Sequence, residues 1–238
     1  MPTSLTITEH LAALATAGPR LAEFAATAGW DAAVPTCPAW DVRALVAHQA
    51  MVHRWSTAQI VGTDPDAVPN QTALQEHDDL AVYYNEGLDV LIAALRAAPE
   101  DLQAMTFLND APPPRQFWAR RQAHETTMHA VDAQAAALGR TPTTSEVGVT
   151  TELAVDGLDE LLCGFFTRGR SKLFDGEEYS FAVAPTDADA AWTVHVAERL
   201  TVSPGVAAGD VPALRGTAAA LYLALWNRGD DIADGHAL

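Results

Sequence analysis

Apolar residues recur at helical spacing from Thr3 to about Thr27, through Leu5, Ile7, Leu11, Leu14, Leu21 and Phe24, and predict a first helix. Gly18-Pro19 interrupts this stretch and can kink it. Gly29 to Pro38 has no such period and reads as a loop. A second helix is expected from about Trp40 to Val61: Asp41 or a neighbour can cap it, Val42, Leu45, Val46, Gln49 and Val52 share a face, and Gly62 ends it. Thr72 with Gln75 can form a capping box for a third helix ending near Ala98, with Pro99 at its exit. The Pro-rich connector Ala111 to Arg115 leads into a fourth helix that runs to Leu138 before Gly139. Four long amphipathic helices without a convincing strand between them predict a four-helix bundle over residues 1–142.

After Thr141-Pro142-Thr143-Thr144 the texture changes, and a second domain is expected over residues 143–238. Leu153 to Phe166 has the period of a helix. Tyr179, Phe181 and Val183 alternate with Ser180, Ala182 and Ala184, and Trp192, Val194 and Val196 with Thr193, His195 and Ala197, as half-buried strands do. Leu200 and Val202 continue as a hairpin partner, and Thr217 can cap a last helix through Leu221, Tyr222, Leu225 and Trp226, closed by Gly229. A helix, several antiparallel strands and a helix make a small α+β domain, so the fold class of the whole chain is α+β.

Composition narrows the partners. The 238 residues, 49% hydrophobic and 19% charged, suffice for two ordinary domains or one large one with a sizeable core. Acidic groups outnumber basic ones 31 to 14, for a formal net charge of -17, and Lys172 is the single lysine. Such a field repels phosphate backbones, so neither nucleic acid nor a membrane surface is expected as a partner. Cys37 and Cys163 lack the spacing of a zinc site or a disulfide framework and are expected as free thiols. The N-terminal stretch has no basic leader, and no run approaches 18 apolar residues, so a cytoplasmic location is expected. A monomer is the default expectation.

The candidate chemistry lies in WARRQAHETTMHAVDAQ, residues 118–134. On a helix, Glu125 and His129 stand about 40° apart around the axis and one turn apart along it, close enough to share one ion. His124 does not complete a zinc-protease motif, because its five-residue separation from His129 turns the two about 140° apart. A divalent ion needs a further protein ligand, and His48, mid-way along the second helix, can supply it or can be a hydrogen-bonded core histidine.

The segments PAWDVRALVAHQAMVHRW, RRQAHETTMHAVDA, LAVDGLDELL and LRGTAAALYLALW resemble the mycothiol-dependent maleylpyruvate isomerase family, in order and over nearly the whole chain. That resemblance implies a DinB-like bundle followed by a small C-terminal domain. It also implies a divalent metal, taken as Zn2+, held by His48, Glu125 and His129, and mycothiol as thiol cofactor or cosubstrate. The implied reaction adds a metal-activated thiolate to the cis double bond of a maleylpyruvate-like keto acid, rotates the resulting single bond and eliminates the thiol as the trans isomer forms. Without elimination the same steps describe a mycothiol S-transferase acting on another electrophile.

Three protein ligands leave open coordination positions, and an ion there favours thiolate over thiol. A dianionic substrate also needs cations. Arg121, four residues before Glu125, is a candidate for its carboxylate at the rim, or pairs with Glu125, or is a solvated charge. Arg215, ahead of the last helix, is a second candidate. Asp132, three after His129, can accept the proton of the ring nitrogen opposite the metal or can be an exposed helix carboxylate. His53 is expected to leave the site, Trp55, Trp118 and Met128 to be core, and Cys37 to be remote from it. The competing readings are a non-catalytic metal-binding interaction module and a metal-dependent hydrolase, and the latter lacks an identifiable general base.

Overall fold

The computed structural model describes residues 5–206, 211–229 and 231. They divide into two compact units: one comprises Thr6–Thr106 and Pro113–Pro142, and the other takes in Phe107–Pro112 as well as Thr143–Leu238. Among the described residues no helix is long and apolar enough to cross a membrane.

The first unit is built on four long helices, α1 (Ile7–Ala28), α2 (Val42–Val61), α4 (Leu80–Ala97) and α5 (Pro114–Leu138), with the short α3 (Gln71–Gln75) between the second and third of them. α1 packs mainly on α5, and α2 on α4. Helix α1 opens with a capping box: the Thr6 hydroxyl accepts the Glu9 N–H at 3.3 Å and the Glu9 carboxylate accepts the Thr6 N–H at 2.7 Å. Pro19 stays inside the helix. Its neighbour Gly18 has a packing role, since a Cβ there would collide with the Leu88 side chain of α4, while its carbonyl accepts the Tyr84 hydroxyl at 3.0 Å. Leu21, Val34, Leu45, Leu74 and Tyr84 fill the core.

The expected third helix is two. Asn70, rather than Thr72, caps α3 by accepting the Ala73 N–H at 3.0 Å, and the chain breaks before α4. The break carries the exposed carboxylates Glu76, Asp78 and Asp79, and His77 Nδ1 takes the Asp79 N–H at 3.2 Å in place of a helical bond. Helix α5 departs from the expected amphipathic pattern in the opposite sense: from Phe117 to Ala136 every residue is buried except Glu125.

In the second unit, α6 (Thr144–Val147) and α7 (Thr151–Asp159) precede a π-helical stretch, Glu160–Phe166, which continues α7 with a wider turn. Strands β1 (Tyr179–Pro185), β2 (Trp192–Val196), β3 (Thr201–Pro204) and β4 (Ala213–Gly216) form one sheet in the order β3-β2-β1-β4, and α8 (Ala218–Leu225) follows. β1 and β2 pair antiparallel with Phe181 opposite Val194, and β2 and β3 antiparallel with Val194 opposite Val202.

Three sequence expectations are corrected. β4 was not foreseen, and it runs parallel to β1 with Ala182 opposite Ala213, so the sheet is mixed. β1 is buried on both faces from Phe181 to Pro185, because it is a central strand whose small alternate residues, Ala182 and Ala184, also face packed structure. Thr217 caps α8 as its position implies, accepting the Ala220 N–H at 3.2 Å, but the helix ends at Leu225 with Trp226 as its C-cap, short of Gly229. Asp187 ties the unit together: one carboxylate oxygen accepts the Ala218 N–H at 2.7 Å and the other the Thr151 hydroxyl at 3.1 Å.

Candidate metal centre

α2 starts where the Asp41 carboxylate accepts the Ala44 N–H at 2.8 Å and runs on to Gly62, whose left-handed φ of 76° ends it. That register carries His48 toward α5. His48 Nε2 lies 3.5 Å from Glu125 Oε1, and His129 Nε2 lies 3.3 Å from the same oxygen. The donor atoms of His48, Glu125 and His129 all fall within 4.8 Å of one another, and among the described residues this group holds three donors. Glu125 is a quarter exposed at its side chain, so the single opening in the buried run of α5 is at the shared carboxylate.

His129 and Glu125 are each held from behind. Asp132 is fully buried and accepts from His129 Nδ1 at 2.9 Å, from the Thr36 hydroxyl at 2.6 Å and from the Cys37 thiol at 3.5 Å. The Nδ1 proton is thereby engaged, which leaves Nε2 as the ring nitrogen that faces Glu125. Arg121 Nη2 sits 3.2 Å from Glu125 Oε2 with its side chain only 3% exposed. It lies inside the bundle instead of at a rim, in the intrahelical pair that was one of the readings open to it.

The loop between α1 and α2 supplies the rest. Val34 is its buried anchor, and tight turns bind Cys37 N–H to the Val34 carbonyl and Trp40 N–H to the Cys37 carbonyl, each at 2.9 Å. The Trp40 ring thereby lies over both histidines, 4.8 Å from His48 and 5.8 Å from His129 between centroids.

Electrostatics follow from this packing. Burial alone would raise the Glu125 carboxyl, but hydrogen bonds with His129 and His48 and the Arg121 charge carry it well below the usual carboxylate range. Burial would lower His129, but its hydrogen bonds to Asp132 and Glu125 raise it to about 9. Without a metal, a proton therefore occupies the place between His129 and Glu125. Two imidazoles and a carboxylate converging on one point, with the far sides of His129 and Glu125 already engaged, suit a divalent ion such as Zn2+.

The other candidates fall elsewhere. His53 points away from the centre, with Nε2 3.0 Å from Thr126 Oγ1 and 2.9 Å from Gln49 Nε2, and burial pushes it down to about 3. His124 meets His10 edge-on at 6.1 Å. Trp118 and Met128 are core, and Trp55 packs edge-to-face on Trp118 at 5.5 Å. Arg215 is exposed on β4 in the second unit. Thr36, Cys37 and Trp40 were missed. Cys37 is not remote from the site as expected: the turns at Val34–Cys37 and Cys37–Trp40 fold the loop ahead of α2 back and bring its thiol to Asp132. Both cysteines are free thiols.

Comparison with known proteins agrees with this architecture. A family model described as the mycothiol maleylpyruvate isomerase N-terminal domain matches residues 11–134, and one described as the MDMPI C-terminal domain matches residues 152–236. Two crystal structures of mycothiol-dependent maleylpyruvate isomerase share the fold. One, of a mutant, has a TM-score of 0.67 at 15% identity, and the second has 0.64 at 16%; each comparison covers 98% of this chain and 94% of the other. No curated protein matches the chain. Matched by the models of both domains, the chain belongs to the mycothiol maleylpyruvate isomerase family.

Proposed function

We propose that the protein is a divalent-metal-dependent thiol enzyme, a mycothiol-dependent isomerase of a maleylpyruvate-like cis-unsaturated keto acid. The observation that carries this reading is the convergence of His48, Glu125 and His129 within 4.8 Å in a chain of this family. When bound, the ion and the thiol together supply a soft nucleophile at neutral pH and a Lewis acid for a substrate oxygen, which is the chemistry that reversible addition across a double bond requires.

The chain's own residues prepare the place. Asp132 fixes the His129 tautomer, and Thr36 and Cys37 fix Asp132. Arg121 neutralises the Glu125 oxygen that faces away from the histidines, which leaves Oε1 for the centre. Trp40 packs against both imidazoles. Arg215 is the residue of the second unit proposed to hold a substrate carboxylate, and an exposed guanidinium on a strand end is suited to a bidentate contact.

The test is metal content and turnover measured side by side on the wild type and His129→Ala, both purified without a metal-binding tag. The expected result is about one divalent ion per chain, as a three-ligand site holds one, and conversion of maleylpyruvate to its trans isomer only when mycothiol is added, with both lost in the variant. A thioether accumulating without the trans acid would assign the chain to the S-transferases. Failure of the wild type to take up zinc would overturn the reading.

A further inference from the structure

The second unit has a cavity of its own, of about 230 Å3. Phe165 and Phe166, from the π-helical continuation of α7, and Leu200, only 4% exposed, give it an apolar floor. Its polar side is cationic: Arg168, Arg170 and Lys172 all line it. Three of the chain's 14 basic residues, including its one lysine, thus fall within five consecutive positions of a protein whose net charge is -17. A generally basic surface cannot account for that grouping.

Nor is the charge consumed locally. Arg170 pairs with Glu198 at 3.0 Å, but among the described residues neither Arg168 nor Lys172 forms an ion pair. Arg168 stacks 5.6 Å above the Phe107 ring, which holds its guanidinium beside the apolar floor. A planar guanidinium and a compact ammonium next to aromatic rings match a ligand with a charged head and a flat body. Exposed ion pairs alone are weak, and burying one ring alone is modest, so selective binding needs both halves in one molecule. The cavity is smaller than the roughly 300–1,000 Å3 of sites for drug-sized ligands, which restricts the body to about one ring.

We propose that this cavity is a binding site for a small organic anion, whose carboxylate or phosphate is held by Arg168 and Lys172 and whose single-ring apolar body rests on Phe165, Phe166 and Leu200. Nothing in this assignment depends on the metal centre.

Isothermal titration of the full chain with phenyl phosphate and with benzoate tests the site, with benzyl alcohol and inorganic phosphate as the two half-ligands. The expected result is saturable binding of at least one aromatic anion with Kd of about 0.1–1 mM, each half-ligand at least about tenfold weaker. Binding of one anion and not the other identifies the head group as phosphate or carboxylate. Arg168→Ala combined with Lys172→Ala, both at exposed positions, should weaken it at least about tenfold with the circular dichroism unchanged, and His129→Ala should leave it intact. Absence of saturation below about 10 mM, equal binding of benzyl alcohol, indifference to the double substitution, or loss in His129→Ala would each overturn the proposal.

Discussion

Asp132→Asn keeps the shape of the side chain behind His129 and removes its charge. In the wild type the His129 proton affinity stands at about 9, against an ordinary 6.5, although burial works against it. That difference is worth on the order of 3 kcal/mol and is shared between Asp132 and Glu125. Two opposing effects follow from the substitution. A less basic imidazole is a poorer ligand, and losing such a partner ordinarily costs about 10–100-fold in metal affinity. A less basic imidazole also holds its competing proton less tightly, which helps the ion. In the wild type at pH 7 that competition weakens apparent affinity by about 100-fold.

The variant should therefore bind zinc about 10–100-fold more weakly than wild type at pH 9, with the deficit shrinking toward pH 7. Wild-type affinity should climb about tenfold per pH unit up to about pH 9 on account of His129. Competition with a chromophoric chelator from pH 6 to 9.5 measures both curves. A wild-type affinity that stays flat between pH 7 and 9, or a folded variant within about twofold of wild type at pH 9, would refute the coupling of Asp132 to the ligand.

The same residue makes the metal-free protein sensitive to alkali. The folded-state pKa of His129 lies above its unfolded value, so its stabilisation is complete below about pH 6.5 and is lost as pH rises through about 9. Chelated protein should lose on the order of 3 kcal/mol of unfolding free energy across that window, as read by urea titration, and zinc-loaded protein should not; equal pH dependence in both states would contradict this. For Trp40→Phe, zinc affinity should fall by about two- to tenfold, the worth of an aromatic contact of about 0.5–1.5 kcal/mol. The change in tryptophan emission on adding zinc to metal-free protein should largely vanish with it, and persistence of the full change would place the responsive ring elsewhere.

Periodicity carried the helices α1, α2, α5 and α8 because each has an apolar face or a cap that can be read locally, as with Asp41 and Thr217. It merged α3 with α4, since the polar break at Glu76 to Asp79 was overridden by regular spacing on either side. The four-residue β4 has too few positions to show alternation, and it pairs with a strand about thirty residues back in the chain. At the centre, Glu125 and His129 were legible because helix geometry relates residues four apart. Thr36, Cys37 and Trp40 were not, because what places them is a turned loop whose hydrogen bonds leave no period. The buried setting of Arg121 was equally hidden, as nothing in its spacing tells an enclosed helix from a half-exposed one.

Phe107–Pro112 belongs with the second unit although it lies between two helices of the first. Phe107 meets Phe165 edge-on at 6.5 Å, Leu108 lies against Gly164, and Asn109 donates to the Thr167 carbonyl at 2.9 Å. During synthesis this short stretch leaves the ribosome about 55 residues ahead of the partners that cover it, a wait of roughly 3–10 s at ordinary elongation rates. A nascent chain released near residue 142 would carry Phe107 and Leu108 without that cover, and a chaperone or a protease would meet them first.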